Sequence, residues 1–142
     1  MSAVKLVSVF AENKPGQLAK TTQVLARADI NIRWVTIATT EGFGVIRFLV
    51  DQCDLAWQRL KQEGFTVSLT EVLAIEVADR PGGLHAVAEC LGRNQINVEN
   101  SSGFVSHNQA VLLIEVLNID QARAILSEQH LRLLSQEEVM AV

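Results

Sequence analysis

The chain has 142 residues, of which 49% are hydrophobic and 20% charged, and this is the composition of a globular protein. Its net charge of −4 argues against general binding to nucleic-acid phosphates, and no apolar run reaches the roughly 18 residues that span a bilayer. Because the N-terminus lacks a basic segment followed by an apolar one, we expect a cytoplasmic protein with reduced cysteines, Cys53 and Cys90, and with no membrane or nucleic-acid partner.

The sequence repeats itself at a spacing of 66 residues, with no insertion or deletion. The segment Asn13–Leu18 returns as Asp79–Leu84, and the segment Ile30–Ile32 returns as Ile96–Val98. Such a repeat predicts two units of the same fold, each of a size close to the lower limit for a self-sufficient core.

The repeat predicts a first domain at residues 1–70 and a second at residues 71–142. Within each domain, the apolar pattern predicts the order strand, helix, strand, strand, helix, strand. In the first domain, alternation from Val7 indicates a strand, Pro15 suits the first turn of a helix, and Asn31 begins a second strand. The predicted buried stripe of the first helix is Leu18, Thr21, Thr22, Leu25 and Ala28.

Turn and capping residues predict the rest of the first domain. Glu41 and Gly42 are typical of a hairpin turn, Asp54 suits the start of a second helix, and Gly64 suits its end. The third strand has alternating apolar residues: Ile46, Phe48 and Val50. A fourth strand is expected from Val67.

The second domain follows the same order, with Asn108 at the hairpin position of Gly42. Its predicted core residues are Leu73, Ile75, Val77, Leu84, Val87, Ala88, Leu91, Leu112, Ile114, Val116, Ile119, Ala122 and Leu126. The stretch from Phe65 to Ala78 alternates almost without a break, so no linker separates the domains. The predicted fold is α+β, with two ferredoxin-like βαββαβ units, each an antiparallel sheet with both helices on one face, packed side by side.

The sequence contains few residues that could catalyse a reaction. The three histidines, His85, His107 and His130, do not lie at metal-ligand spacing, and there is no Cys-x-x-Cys motif. Glu71 and Glu137 are equivalent in the repeat and are both predicted in strands, but neither has an obvious acid–base partner. We therefore expect no enzymatic activity, no metal and no cofactor.

The two loops between the first strand and the first helix have the features of an anion site. Gly16 and Gly82 allow close approach of the backbone, and the first-turn amides of the following helix are unpaired and partially positive. Such a corner suits a carboxylate. Asn13 and Asp79 precede the prolines and have oxygens that accept from an ammonium group. The alternative is that Asn13 and Asp79 only cap the helices.

A matched pair of asparagines, Asn31 and Asn97, is expected at the start of the second strand of each domain. Asparagine is depleted in strands, so the pair needs an explanation. One explanation is turn chemistry after the helix, and the other is contact with a ligand from the facing domain.

The sheet face turned away from the helices is apolar in the first domain, at Leu6, Phe10 and Trp34. Scattered surface hydrophobes are one interpretation, since they are common. A patch covered by a second chain is the other, and it predicts a homodimer.

The loops and the Ile-Asn segments resemble the ACT domain family, small βαββαβ regulatory modules that bind amino acids. The motif is Asn13-Lys-Pro-Gly-x-Leu18 with Ile30-Asn31-Ile32, and it recurs as Asp79-Arg-Pro-Gly-x-Leu84 with Ile96-Asn97-Val98. The resemblance covers almost the entire chain. It implies a non-catalytic regulatory protein that binds a small ligand, a free amino acid above all.

The resemblance also implies a site between the first loop of one domain and the second strand of the other. Asn13 and Gly16 would meet Asn97 in one such site, and the equivalent residues of the repeat would form the second. The implied ligand-binding residues are Asn13, Gly16, Gln17, Leu18, Asn31, Ile32, Asp79, Gly82, Gly83, Leu84, Asn97 and Val98. Polar contacts to the ligand side chain would come from Arg33, Asn100 or Ser101.

The sequence departs from the family pattern at two positions. Some amino-acid-binding members carry a polar residue where this chain has Ala11 and Val77. The loops also differ in charge, Asn13 against Asp79, so the two sites need not be equivalent. The alternative function is therefore a protein-protein interaction module without a ligand. With either function, the chain would regulate a partner, a metabolic enzyme.

Overall fold

The computed structural model describes residues 3–107 and 109–142, so the hairpin position predicted at Asn108 lies outside the described residues. The chain divides into two compact units. The first unit is Lys5–Thr70, and the second is Glu71–Val142 together with the residues up to Val4. In the part of the chain that is described, no helix is both long enough and apolar enough to cross a membrane.

The first unit has the predicted order of elements. They are β1 (Val4–Glu12), α1 (Gln17–Arg27), β2 (Ile32–Thr40), β3 (Phe43–Val50), α2 (Cys53–Gln62) and the beginning of β4 (Thr66–Val77). Strand β3 lies between β1 and β2 and is antiparallel to both. Phe48 pairs with Val7 on one side and with Val35 on the other, so these three side chains share one face of the sheet.

Both helices of the first unit pack on the same face of its sheet. The buried cluster is Val7, Val9, Leu25, Ile30, Ile46, Phe48, Val50, Ala56 and Leu60. The buried hydroxyls are paired: Thr21 donates to the carbonyl of Gln17 at 2.8 Å, and Ser8 and Thr70 bond each other at 2.8 Å. A buried polar group without a partner would be costly, so these bonds allow the hydroxyls to lie in the core.

The second unit repeats this architecture. After the remainder of β4 come α3 (Gly83–Arg93), β5 (Asn100–Ser106), β6 (Gln109–Glu115), α4 (Ile119–Glu128), β7 (Leu133–Leu134) and α5 (Gln136–Met140). Strand β6 lies between β4 and β5, β7 pairs with β4, and all the pairings are antiparallel. Its buried cluster is Leu73, Ile75, Val87, Cys90, Leu91, Ile114, Ala122, Leu126 and Leu133. The prediction of an α+β chain with the βαββαβ order repeated twice is confirmed.

The end of the second unit differs from the prediction, because its last strand has only two residues and a helix follows. Ser135 and Glu138 form a capping box: the Ser135 hydroxyl accepts from the Glu138 amide at 3.2 Å, and the Glu138 carboxylate accepts from the Ser135 amide at 3.0 Å. This local motif starts a helix. Glu137 therefore lies in α5, and its predicted place in a strand was wrong.

Helices α1 and α3 end in the same type of turn. The residue after the C-cap is left-handed in both, Asp29 with φ 57° and Gln95 with φ 55°. In the first unit, the next amide, that of Ile30, then donates to the carbonyl of Leu25 at 3.0 Å. This is a Schellman motif, which closes the helix and redirects the chain toward the sheet.

The two asparagines after these turns are held differently. Asn31 lies directly before β2, and its backbone N–H donates to the Asp51 carboxylate at 3.1 Å. The residue equivalent to Asp51 is Leu117, which has no acceptor in its side chain. Asn97 lies in a loop before β5, and its side chain donates to Glu99 at 3.2 Å. The prediction that Asn97 begins the second strand was therefore wrong.

The apolar residues predicted on the sheet face away from the helices do not form one surface patch. Leu6 is only 2% exposed, whereas Phe10 is 44% exposed and Trp34 is half-buried. A patch made of all three was therefore a wrong interpretation. The homodimer stays a prediction.

An ion-pair cluster secures the C-terminal helix of the second unit. Arg132 donates to the Glu76 carboxylate at 2.8 Å and to the Glu138 carboxylate at 2.6 Å. The backbone hydrogen bond from Ser135 lowers the pKa of the Glu138 carboxyl, and the charge of Arg132 lowers it further. Glu138 therefore stabilises the folded state while it is ionised, and this contribution is lost as the pH falls through its lowered pKa.

We expect Glu138→Gln to lower the melting temperature at neutral pH and to have a smaller effect once the pH has fallen through the lowered pKa of Glu138, where the wild-type carboxyl is also neutral. Thermal unfolding followed between about pH 7 and pH 3 measures this difference. The control is Glu137→Gln, which removes the same charge from the same helix but no contact to Arg132. An equal, pH-independent effect of both variants would contradict the role of Glu138.

Candidate functional site

Each unit contains a loop in which a left-handed glycine is the N-cap of a helix. Gly16, with φ 91°, precedes α1, and Gly82, with φ 87°, precedes α3. Residues other than glycine are strained at these positive φ angles. Among the described residues, neither Asn13 nor Asp79 nor any other side chain accepts a hydrogen bond from the first turn of either helix. The interpretation that Asn13 and Asp79 only cap the helices was therefore wrong.

The first turn of α1 has amides without an acceptor. The first backbone bond of the helical type is donated by Lys20 to the carbonyl of Gly16 at 3.0 Å. The amides of Leu18 and Ala19 have no acceptor among the residues that the structure describes. Unpaired N–H groups at a helix N-terminus carry partial positive charge, so this end of α1 is suited to an anion.

The first turn of α3 has the same open amides. Ala86 donates to the carbonyl of Gly82 at 3.0 Å, while the amides of Leu84 and His85 have no acceptor within the described part of the chain. The repeat therefore produces two open helix N-termini. Each follows the Pro-Gly sequence that the motif places there.

The second loop is tighter than the first. The amide of Gly83 donates to the carbonyl of Arg80 at 2.9 Å, whereas that of the equivalent Gln17 donates to Lys14 at 3.4 Å. A Cβ atom on Gly83 would lie 1.9 Å from the carbonyl oxygen of Ala78, so only glycine fits this loop. The two loops share a motif but differ in conformation.

A cavity of about 460 Å³ lies beside the first loop. It is lined by the segment from Ala11 to Leu18 and by Ile37, Gly44 and Ile46 of the adjacent strands. The predicted site residues Asn13, Gly16, Gln17 and Leu18 all belong to this lining.

A larger cavity of about 640 Å³ lies at the equivalent place in the second unit. The segments that line it are 77–81, 101–105 and 110–112, together with Leu84. Of the predicted site residues, Asp79 and Leu84 line the cavity, and Ser101 joins them. Gly82 and Gly83 shape the loop behind the lining.

The asparagines line other hollows of their own units. Asn31 and Ile32 face a hollow along α1, and Asn97 faces one beside α4. Val98 lines neither of them. Within a unit, the loop and the asparagine therefore belong to separate cavities. The pairing of Asn13 with Asn97 and of Asp79 with Asn31 stays a prediction.

The charges beside the two cavities differ. In the first loop, the Lys14 ammonium lies 3.6 Å from the Glu12 carboxylate. The residue equivalent to Glu12 is Ala78, and the Arg80 guanidinium has no ion pair with any described residue. Sequence reasoning did not name Arg80, which lines the second cavity, although both copies of the motif have a basic residue before the proline.

The chemistry that the other side chains offer is limited. Among the described residues, no group of three or more His, Cys, Asp or Glu side chains could hold a metal ion. His85 lies 3.3 Å from Glu89 on the exposed side of α3. Cys53 and Cys90 are free thiols, and burial raises the pKa of the Cys53 thiol, which keeps it protonated and weakly nucleophilic.

Solved structures with this fold include proteins of very different sequence. Protein BT0572 from Bacteroides thetaiotaomicron is 32% identical, with a TM-score of 0.92 over 99% of this chain and 98% of that one. The ligand-free regulatory subunit of aspartate kinase from Thermus thermophilus is 17% identical, with a TM-score of 0.67 over 91% and 92% of the two chains. E. coli aspartokinase III in complex with lysine and aspartate is 18% identical, with a TM-score of 0.56 over 92% of this chain and 31% of that one.

Comparison of the sequence with known families gives a match over its full length. No curated protein matches the sequence. A family model described as an ACT domain pair matches residues 1–142. The doubled βαββαβ order and the doubled loop agree with this match. The chain therefore belongs to the ACT domain pair family.

Proposed function

We propose that the chain is a non-catalytic regulatory protein that binds a free amino acid at its Pro-Gly loops. The observation that carries this proposal is the pair of open helix N-termini, at Leu18 and Ala19 in α1 and at Leu84 and His85 in α3, each beside a cavity of its own unit. An uncapped N-terminus is a favourable site for a carboxylate, since both the free amides and the helix dipole attract negative charge.

The side chains at the loops supply the second half of amino-acid recognition. Asp79 has a carboxylate and Asn13 an amide oxygen, and both line their cavities. Either group accepts hydrogen bonds from an ammonium ion, and the carboxylate also attracts its charge. A ligand with a carboxylate and an ammonium group close together therefore matches both parts of each loop.

The family supports a regulatory role. The aspartate kinase subunit of Thermus thermophilus is a regulatory subunit, and the E. coli aspartokinase III structure holds lysine and aspartate. At these identities the likeness supports the fold alone, and family membership supports the regulation. We propose that the bound state acts on a metabolic enzyme as partner, that the chain forms a homodimer, and that it works in the cytoplasm, where its thiols Cys53 and Cys90 would stay reduced.

A second function, a protein-interaction module without ligand, has one observation in its favour. Ala11 and Val77 line the two cavities where some family members have a polar residue. Large apolar side chains such as Phe43, 68% exposed, and Leu117, 89% exposed, would then contribute to the contact with the partner. Binding to a partner enzyme that no amino acid changes would favour this function.

A thermal-shift screen of the full chain against the twenty amino acids tests the proposal. A ligand at about 100 times its dissociation constant should stabilise the folded state by about 2.7 kcal/mol. Gly16→Ala and Gly82→Ala should reduce this stabilisation, because Ala at these φ angles displaces the loop amides.

The matched control is Gly64→Ala at the end of α2. Gly64 is also left-handed, with φ 89°, and at each of the three glycines a Cβ atom would meet no described atom within 4 Å apart from the chain neighbours. All three variants should lose about 1–2 kcal/mol of stability, but only the loop variants should lose ligand binding. If no amino acid stabilises the wild type, the proposal fails.

A further inference from the structure

We infer that the second-unit cavity binds an apolar amino acid as a zwitterion, and that the first-unit cavity does not. This inference rests on the proposed function, since it names the ligand class of one of its two sites. It follows from two differences between equivalent positions of the repeat, one strand residue that affects the cavity size and the charges at the loop, together with the apolar walls of the second cavity.

One strand residue that affects the cavity size differs between the units. Gly103 of β5 lines the cavity of the second unit, and the equivalent Ile37 of β2 lines that of the first. Gly103 pairs with Leu112 and Ile37 pairs with Ile46, so both lie on the face that carries the core residues. The isoleucine side chain therefore occupies space that glycine leaves open. This agrees with the volumes of about 460 Å³ and 640 Å³.

The second cavity has apolar walls that are still open to water. Leu84 is 57% exposed and Val105 is 59% exposed, and both line the cavity. An apolar side chain bound between these residues would remove their surface from water, and this burial favours binding. No charged residue lines the strand side of the cavity, in segments 101–105 and 110–112, so a ligand with a charged side chain would lose hydration without gaining an ion pair there.

The mouth of the second cavity has two charges of opposite sign. Asp79 and Arg80 both line it, and neither has an ion pair among the described residues. In the first unit the equivalent of Asp79 is the neutral Asn13, and Lys14 already pairs with Glu12. The second loop thus offers a carboxylate for the ammonium group and a guanidinium, beside the open amides, for the ligand carboxylate.

Isothermal titration calorimetry of the full chain tests the inference, with L-leucine and L-phenylalanine as apolar probes and L-lysine and L-glutamate as charged ones. We expect the apolar probes to bind at one site per chain and the charged ones to bind at least about tenfold more weakly. N-acetyl-L-leucine and L-leucinamide each lack one charge of the zwitterion, and both should bind more weakly than L-leucine.

Three variants locate the site. Gly103→Ile places in the second cavity the side chain that Ile37 places in the first. Asp79→Asn gives the second loop the side chain that Asn13 has in the first loop. Each variant should weaken L-leucine binding at least about tenfold. Phe43→Ala changes an exposed strand residue of the first unit that lines neither cavity, and it should leave that affinity unchanged. Because Asp79 is exposed, we expect Asp79→Asn to fold, and this variant tests the assignment to the second cavity if Gly103→Ile does not fold.

The outcomes separate this inference from the function on which it rests. If no amino acid binds, the proposed function itself fails. If L-lysine or L-glutamate binds in preference, or if L-leucine binding survives Asp79→Asn and Gly103→Ile, an amino-acid-binding protein remains but the assignment to the second cavity is overturned.

Discussion

Replacing Phe48 by alanine is expected to lower the free energy of unfolding by about 3–5 kcal/mol. Phe48 is fully buried in the core of the first unit, on β3 between β1 and β2. Its removal takes away apolar contacts and leaves a cavity that the surrounding strands and helices fill only in part. Because small proteins have about 5–15 kcal/mol of stability, we expect a large fall in the urea midpoint.

The control for this change lies on the same strand. Phe43 begins β3 and is 68% exposed, so Phe43→Ala removes the same side chain from the surface. We expect this variant to change stability by about 0.5 kcal/mol or less. Equal losses in the two variants would show that the core of the first unit is not centred on Phe48.

Replacing Gly83 by alanine should destabilise the second unit by about 1–3 kcal/mol and should open its loop. The new Cβ atom would lie 1.9 Å from the carbonyl oxygen of Ala78 and 2.9 Å from its carbonyl carbon, and both are backbone atoms. The turn from β4 to α3 must therefore shift. Since Asp79 and Arg80 lie in this turn, we also expect weaker ligand binding.

Gly92→Ala is the matched control on the same helix. Apart from its chain neighbours and the backbone of its own helix, a Cβ atom on Gly92 would meet no described atom within 4 Å, and alanine is favoured over glycine in helices by about 0.8–1.0 kcal/mol. We therefore expect Gly92→Ala to stabilise the chain and Gly83→Ala to destabilise it, as measured by urea unfolding. The same sign for both variants would contradict the tight loop.

The repeat made most of the fold predictable. Gly16 and Gly82, and likewise Asp29 and Gln95, have matching left-handed conformations in the two units, because equivalent residues form equivalent turns. Helix stripes and strand alternation then indicated most of both cores, but the predicted burial of Leu18, Leu84 and Ala88 was wrong, since all three are exposed. The same symmetry misled at Asn97, since the carboxylate of Asp51 that holds Asn31 has no counterpart in the second unit.

The candidate site was only partly predictable. The Pro-Gly motif indicated the loops. That Arg80 has no ion pair among the described residues depends on the residue two positions earlier, which is Ala78 in the second unit and Glu12, the partner of Lys14, in the first. The difference between the cavities depends on Gly103 and Ile37, which are far from the loops in sequence. Register between strands brings these residues to the loops, and a linear motif does not contain that information.

The most direct test of amino-acid binding at the loops is a titration of the isotope-labelled chain followed by two-dimensional amide NMR. As an amino acid identified by the thermal-shift screen is added, the amides of Leu84 and His85 should shift most, because they would donate to the ligand carboxylate. Saturable shifts at these amides are the predicted result, and saturable shifts at Leu18 and Ala19 alone would keep amino-acid binding at a Pro-Gly loop but overturn its assignment to the second unit. A saturable response confined to residues outside both loops would contradict the account.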